Sequence, residues 1–376
     1  MSGAASERKV VLVKRQTRLE ELVKRNSTVQ QAQFYVERLG ADFGDYRAED
    51  ERYRAAVTEA VQTLESEYRL QVIDRVYLPN FIFGRDDIVV AIGPDGLIAN
   101  TLKYLDGQPL IGVNPDPLRW DGVLLPFRAG DLRLILRDVA RGRRPMKGVT
   151  LAKAELNDGQ TLYAVNDLFI GRSSHVSARY ELSLDGRAER QSSSGIIVST
   201  GLGSTGWLKS VLAGAAGILR GATGYVPVQA LELLQGSAGR AGAADVDEAN
   251  SNPRKSRKSS GDAGSASGAK RGLGAAGSAS GTKRGPGAAS SAGRDPREAW
   301  AAEQLYFAVR EPFPSRTTSA ELVFGQISAG TQLKVVSEMP KDGVIFSDGV
   351  ESDFLVFQSG VEARIGIAER QGCLVV

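Results

Sequence analysis

Apolar positions along this chain follow one rhythm up to residue 145 and another after it. In the first part, short runs of β-branched and aliphatic residues alternate with stretches of helical spacing. KVVLV (9–13), LQVIDRVY (70–77), the apolar run at 87–92 and LIGV (110–113) read as strands. Helices are predicted over 17–39, 49–67, 96–105 and 131–141. Strands alternating with helices predict a parallel sheet with helices packed against it. After RGRRP (141–145) the period drops to two. VTLAKAEL-NDG-QTLYAVNDLFI and SARYELSLDGRAERQSSSGIIVST are segments joined by Asn/Asp-Gly turns, the pattern of antiparallel β structure. A helix is predicted near 203–219, and short strands fill 304–376. The expected fold class is therefore α/β plus all-β, with an α/β part over 1–145 and a β-rich part over 146–376.

One segment fits neither rhythm. Over 236–297 the chain turns to Gly, Ala and Ser punctuated by basic pairs, and GSASGAKRGLGAA (264–276) is followed by its near copy GSASGTKRGPGAA (277–289). From Gly236 to Arg294 ten basic residues face four acidic ones, a local charge of +6. The rest of the chain is then −3 against the formal total of +3. Such a composition cannot bury enough apolar surface to offset its ordering entropy, so a disordered, solvated insertion is expected. A mildly acidic remainder argues against a nucleic-acid-binding core.

Composition removes further classes. With 376 residues, 42% of them hydrophobic, the chain can build two cores. One cysteine, Cys373, excludes an internal disulfide framework and suits a reducing compartment. One histidine, His175, makes a His-rich metal site or a Ser-His-Asp triad a poor expectation. No stretch approaches the roughly 20 apolar residues of a membrane span. KVVLV begins too early for a leader peptide to precede it, so a cytoplasmic protein is expected.

Asp-Gly occurs repeatedly, and most copies read as turn punctuation, especially Asn157-Asp158-Gly159 between two strand-like runs. Asp95-Gly96 differs in context. It follows the kind of continuous apolar run that marks a buried parallel strand, and it opens a helix. In open α/β sheets that is the carboxyl end of a strand, where ligands bind. A second Gly-rich stretch, Gly201-Leu202-Gly203-Ser204-Thr205-Gly206, matches the dinucleotide fingerprint G-x-G-x-x-G. It lies among antiparallel-type strands, however, and no acid occurs until Glu232, so the ribose-binding carboxylate of a dehydrogenase is missing. What survives is the expectation that this turn closely approaches a phosphate or sugar.

AIGPDG (91–96), PLIGVNPDP (109–117), YAVNDLFIG (163–171), YELSLDG (180–186) and SSGIIVSTGLGSTGW (193–207) occur in this order. Together they resemble the NAD kinase family, with its Gly-Gly-Asp-Gly-Thr loop, Asn-Glu pair and Thr-Gly-Ser-Thr-Ala-Tyr turn. VREPFPSR (309–316) and SDGVESDFLVF (347–357) are most similar to the mitochondrial-type branch and its bacterial relatives. The resemblance implies a Rossmann-like N-terminal domain and a β-rich C-terminal domain, the NAD kinase/diacylglycerol kinase-like fold. It implies transfer of the γ-phosphoryl of ATP, with Mg²⁺, to the 2′-hydroxyl of the adenosine ribose of NAD. It also implies a homo-oligomer, dimer or tetramer, with no membrane or nucleic-acid partner. Gly93 and Gly96 then belong to the ATP loop, and Asp95 is the base or orienter for the 2′-hydroxyl. Asn166 and Asp167 stand for the Asn-Glu pair that hydrogen-bonds the nucleoside. Ser204, Thr205, Gly206 and Trp207 correspond to Ser-Thr-Ala-Tyr of the third motif, and Asn114 to an asparagine beside the NAD site.

The chain departs from the family pattern in all three motifs, with Gly206 and Trp207 standing for Ala and Tyr in the third. Pro94 replaces the second glycine of the loop, deleting one backbone N–H and fixing φ near −65°. Leu97 replaces a threonine near the phosphates, and Asp167 is one methylene shorter than glutamate. These departures leave three readings open: a working NAD kinase, a relative with an altered phosphoryl donor or acceptor, and a nucleotide-binding pseudo-enzyme.

Overall fold

Strands β1 (Lys9–Lys14) and β3 (Ile88–Ile92) are buried along their apolar runs because helices cover both faces of the sheet they form. The computed structural model describes residues 8–226 and 296–376. The insertion read at 236–297 lies outside them, apart from Pro296 and Arg297, which open a 3-10 turn, Pro296–Ala301.

Between β1 and β3 come helices α1 (Arg18–Asn26), α2 (Val29–Arg38) and α3 (Phe43–Glu65), then strand β2 (Arg69–Asp74). The continuous helix expected over 17–39 is two helices. Thr17 forms a capping box with Glu20 at the start of α1. Ser27 then turns left-handed at φ 66°, and Thr28 caps α2. The helix expected from 49 begins earlier, where Asp42 accepts the N–H of Gly44. The strand expected over 70–77 stops at Asp74, whose side chain caps a 3-10 turn, Arg75–Asn80. After β3 follow α4 (Asp95–Leu102), β4 (Pro109–Val113) and α5 (Leu132–Ala140).

The parallel strands lie in the order β2-β1-β3-β4. The chain leaves β1 to form β2 on one side, then returns to form β3 on the other. That reversal opens a crevice beyond the carboxyl ends of β1 and β3, where open α/β sheets bind ligands. Leu12, Val90 and Ile111 pack under Leu64 of α3 and Leu136 of α5, while Val11, Val89 and Ala91 pack under Leu97, Ile98 and Leu102 of α4. Helix α4 thus runs back over the sheet from the crevice, with Asp95 at its crevice end.

The second part is antiparallel, as expected. Strands β5 (Met146–Leu156) and β6 (Thr161–Ala164) join through Asn157-Asp158-Gly159. Next come β7 (Asp167–Arg172), and β8 (Ala178–Leu184) with β9 (Arg187–Ser193), a hairpin closed by Asp185 and Gly186 at φ 50° and 77°. Strand β10 (Ile196–Ser199) leads into α6 (Trp207–Thr223). The last strands are β11 (Gln304–Val309), β12 (Phe324–Ser328), β13 (Leu333–Ser337), β14 (Gly343–Ser347), β15 (Val350–Val356) and β16 (Glu362–Val375). The last is longer than the short strands expected there.

Six of these strands form one sheet, β12-β11-β10-β7-β14-β15. Its inner face, with Leu168, Ile170, Val198 and Phe307, packs against Tyr180, Leu182, Val335 and Ile365 of the other sheet. That other sheet is continuous with the parallel one. Strand β16 pairs antiparallel with β5 and β13 and parallel with β4, through Cys373↔Pro109 and Leu374↔Leu110. One sheet therefore includes residues from both sides of position 145.

Candidate functional site

Just beyond Ile92 the chain packs tightly at Gly93. A Cβ at Gly93 would meet Leu97 Cδ2 at 2.7 Å. Leu97, where the family has threonine, is a core residue at 1% exposure. Pro94 caps α4 at φ −74°, and its side chain gives no capping hydrogen bond. Asp95 is the first residue of α4, half-buried, beside exposed Gly96. One carboxylate oxygen accepts the Leu124 N–H at 2.7 Å, and among the described residues no other residue donates to the carboxylate. Burial pushes this carboxyl above the usual carboxylate range and Asp121 adds to the rise, while the Leu124 N–H works against it. Asp158 shows what an Asp-Gly turn residue looks like instead: it is exposed, accepts Gln160 N–H at 3.0 Å, and is held below the usual range by Gln160.

Asn114, at the end of β4, is buried and spends its amide on its own loop. It donates to the Trp120 carbonyl at 3.0 Å and accepts the Asp116 N–H at 3.0 Å. That bracing shapes the 114–125 loop, which delivers Leu124 N–H to Asp95. The structure therefore gives Asn114 a supporting place. Sequence reading also missed the charges at the end of β1. The Tyr53 hydroxyl accepts Arg15 N–H at 2.8 Å and donates to the Ile92 carbonyl at 3.0 Å, joining the ends of β1 and β3. The Arg15 guanidinium pairs with Glu49 at 2.8 Å and lies 5.6 Å from the Trp120 ring. No motif marks this cluster, because it assembles from four separate elements.

Asn166 and Asp167 lie where β6 passes into β7. The N–H groups of Val165, Asn166 and Asp167 all point at the Asp348 carboxylate, the Asn166 one at 2.6 Å. No hydrogen bond among the described residues uses the Asn166 side-chain amide. Asp167 Oδ1 is buried without a partner. Burial pushes its carboxyl from 3.8 to about 7, with Asp348 adding to the rise and the Ser199 hydroxyl opposing it.

The 201–207 turn packs directly onto this bend. Thr200 donates its N–H to the Asn166 carbonyl at 2.9 Å and its hydroxyl to the Val165 carbonyl at 2.5 Å. A Cβ at Gly203 would lie 2.1 Å from the Asn166 carbonyl oxygen, and one at Gly201 would lie 1.9 Å from that of Ala299. These two glycines are required by the close approach of the chain to itself. Ser204 is buried and donates to the Gly201 carbonyl at 2.8 Å, whereas Thr205 and Gly206 face solvent. Trp207 stacks on Phe169 with ring centroids 5.7 Å apart and planes at 6°. Asn166, Asp167 and the turn form one group, while Asp95, Gly93, Gly96 and Asn114 form another. Helix α4 connects them: its C-cap, Lys103, donates to Ser347 at 2.9 Å and pairs with Asp353 at 2.7 Å.

The chain is similar to NAD kinases. It is 34% identical over 133 residues to NAD kinase of Acinetobacter baylyi, covering 33% of this chain and 42% of that protein. It is 30% identical over 167 residues to the mitochondrial NAD kinase 2 of Rattus norvegicus, covering 32% of this chain and 39% of that one. The chain thus spans about four-tenths of these relatives' length. A crystal structure of an Archaeoglobus fulgidus NAD kinase in complex with ATP aligns over 98% of this chain and 93% of its own, at 15% identity and a TM-score of 0.47. No protein-family model matches the chain.

The contacts at the turn separate its glycines. Gly203→Ala should destabilise the fold by at least about 2 kcal/mol, because its neighbour is backbone and cannot move aside. Gly206→Ala, whose added Cβ would meet only the Gly203 carbonyl, at 3.3 Å, should lower Tm by clearly less. Equal shifts in thermal melts of the two variants would contradict the assignment.

Asp167 generates a pH prediction. Its folded pKa lies above the unfolded one, so its contribution favours folding below the unfolded value and is lost as pH rises through about 7. Asp167→Asn should therefore raise Tm at about pH 8 and lose that advantage toward about pH 5. A Tm difference independent of pH would mean that the carboxylate is compensated in the fold.

Proposed function

We propose that this protein is an NAD kinase, transferring the γ-phosphoryl group of ATP to the 2′-hydroxyl of the adenosine ribose of NAD. The observation that carries the reading is Asp95: a half-buried carboxylate at the mouth of the β1–β3 crevice, with one oxygen anchored and the other uncommitted. A turn residue needs neither property. The match to curated NAD kinases supports the same assignment.

In this reading the crevice takes the triphosphate. The Gly93–Gly96 loop lies along it, and the N-terminus of α4 favours negative charge there. Mg²⁺ would enter with ATP. The fit is to a nucleotide-borne ion, since no group of three or more His, Cys, Asp or Glu side chains gathers among the described residues. Asn166 offers an uncommitted donor and acceptor to the nucleoside, and Asp167 offers a buried acceptor to its ribose hydroxyls. Asp95 accepts the 2′-hydroxyl proton as that oxygen bonds to the γ-phosphorus and the bond to the β–γ bridging oxygen breaks, releasing ADP. Such transfer rests on positioning and charge neutralisation more than on covalent help from the protein. The single cysteine, Cys373, suits a cytoplasmic setting, and the working form would be a homo-oligomer, as the resemblance implies. Pro94 favours one second reading, an altered phosphoryl donor, because the loop lacks an N–H that a glycine would supply.

Purified protein with ATP, Mg²⁺ and NAD should form NADP, measured by coupling to an NADP-specific dehydrogenase. Asp95→Asn should lower kcat by ~10²–10⁴-fold with the fold intact, while Asp158→Asn should be nearly silent. Comparable activity in both variants would reduce Asp95 to a turn residue.

The donor side has its own test. Pro94→Gly restores the missing N–H and should lower KM for ATP while leaving KM for NAD unchanged. A KM for ATP that stays the same or rises would show that no phosphate oxygen lies at that position.

A further inference from the structure

The turn between β14 and β15 is built by Asp348 and Gly349, both left-handed at φ 54° and 70°. That conformation turns the Asp348 carboxylate inward, over the bend between β6 and β7. Its oxygens accept the N–H of Val165 at 3.1 and 3.0 Å, of Asn166 at 2.6 Å and of Asp167 at 3.2 Å. Its own N–H donates to the Asp167 carbonyl at 2.9 Å. Three successive amides converging on one carboxylate form a nest, an arrangement in which backbone dipoles take up a negative charge. Through it the chain fixes the curvature of the segment that presents Asn166 and Asp167.

We propose that Asp348 is a positioning residue for the dinucleotide side of the site: it holds the 165–167 bend so that Asn166 and Asp167 face the ribose. The naming of the ligand rests on the reading above; the bracing of the bend does not. The adjacent residue extends the connection. Ser347 accepts from Lys103 Nζ at 2.9 Å, and Lys103 closes the end of α4 opposite Asp95. Lys103 is 2% exposed and also pairs with Asp353, to which the Tyr104 hydroxyl donates. Its positive charge lies close enough to favour the ionised form of Asp348. The reacting carboxylate and the nucleoside-binding pair are thus held in register by one helix and one turn.

The test is Asp348→Asn. Asparagine tolerates the left-handed turn and keeps the shape, but replaces one accepting oxygen with a donor that cannot receive an amide N–H. KM for NAD should rise ~10-fold or more with KM for ATP little changed, and Tm should fall modestly because one amide N–H of the bend loses its acceptor. Independently of any activity, hydrogen exchange of the 165–167 amides should speed up ~10-fold or more, while β3 stays protected. If the native protein makes no NADP, the kinase reading fails and the exchange measurement alone decides the bracing. Unchanged exchange at 165–167, or a KM for ATP rising as much as that for NAD, would overturn the proposal. Should Asp348→Asn not fold, Asp348→Glu keeps the acceptors but moves them one methylene outward, and the same outcomes apply.

Discussion

An ammonium group cannot be left in a protein interior without partners, because taking it from water costs several kcal/mol that only well-placed acceptors offset. Lys103 is such a group, and its acceptors, Ser347 and Asp353, belong to β14 and β15. The helix that ends at Lys103 begins at Asp95. Through this one buried cation the helix carrying Asp95 is tied to β14 and β15, the strands joined by the turn that braces Asn166 and Asp167. Arg370 adds a second tie, donating to the Lys103 carbonyl at 3.0 Å and so occupying an acceptor that α4 leaves open at its end.

Burial likewise governs the carboxylates at both ends of this connection. Asp95, Asp167 and Asp348 are all pushed above the ordinary carboxylate range, in each case chiefly by burial. They differ in what opposes that rise. Asp348 has three amide N–H groups and the Lys103 charge. Asp95 has the N–H groups of Leu124 and of its own backbone. Asp167 has only the Ser199 hydroxyl, and one of its oxygens accepts nothing. Three amides meet Asp348, which in the proposed reading serves structure, whereas the free oxygen of Asp167 and the carboxylate of Asp95 would then meet a ligand.

Much of this was legible in the sequence, for physical reasons that differ by element. The runs KVVLV and IVVAI declare parallel strands because both faces of the sheet are covered. Asp185-Gly186 declares a hairpin because a two-residue turn with both residues left-handed favours that pair. Asp95 stood out from other Asp-Gly pairs by position alone. What stayed hidden depends on contacts distant in sequence. Asp348 looks like any other turn aspartate until its carboxylate is seen to reach residues about 180 positions away. The break at Ser27 was missed because a left-handed serine leaves no mark in an otherwise helical pattern. Gly201-x-Gly203 suggested a ligand because glycine permits any close approach, and the letters do not say whether the approaching atom belongs to a nucleotide or to the Asn166 carbonyl.

The departures in the first loop are physically linked. Leu97 lies against Gly93 so tightly that a Cβ there would collide with it, and its side chain fills space in the α4 core. A threonine would exchange that apolar packing for a hydroxyl. Pro94 holds the turn into α4 at φ −74° and ψ 166° without needing a side-chain cap. Proline at a compatible position typically stabilises by about 0.4–1 kcal/mol, because it restricts the unfolded chain. Both substitutions therefore shift the loop from donating hydrogen bonds toward holding one shape. Under the proposed reading, such a loop would bind phosphate with fewer donors but lose less conformational entropy in doing so. The donors left to a phosphate in that reading would be the N-terminus of α4, which has no side-chain cap, and the exposed Gly96 backbone, so the orientation of that helix would matter more than in a loop with its full set of amides.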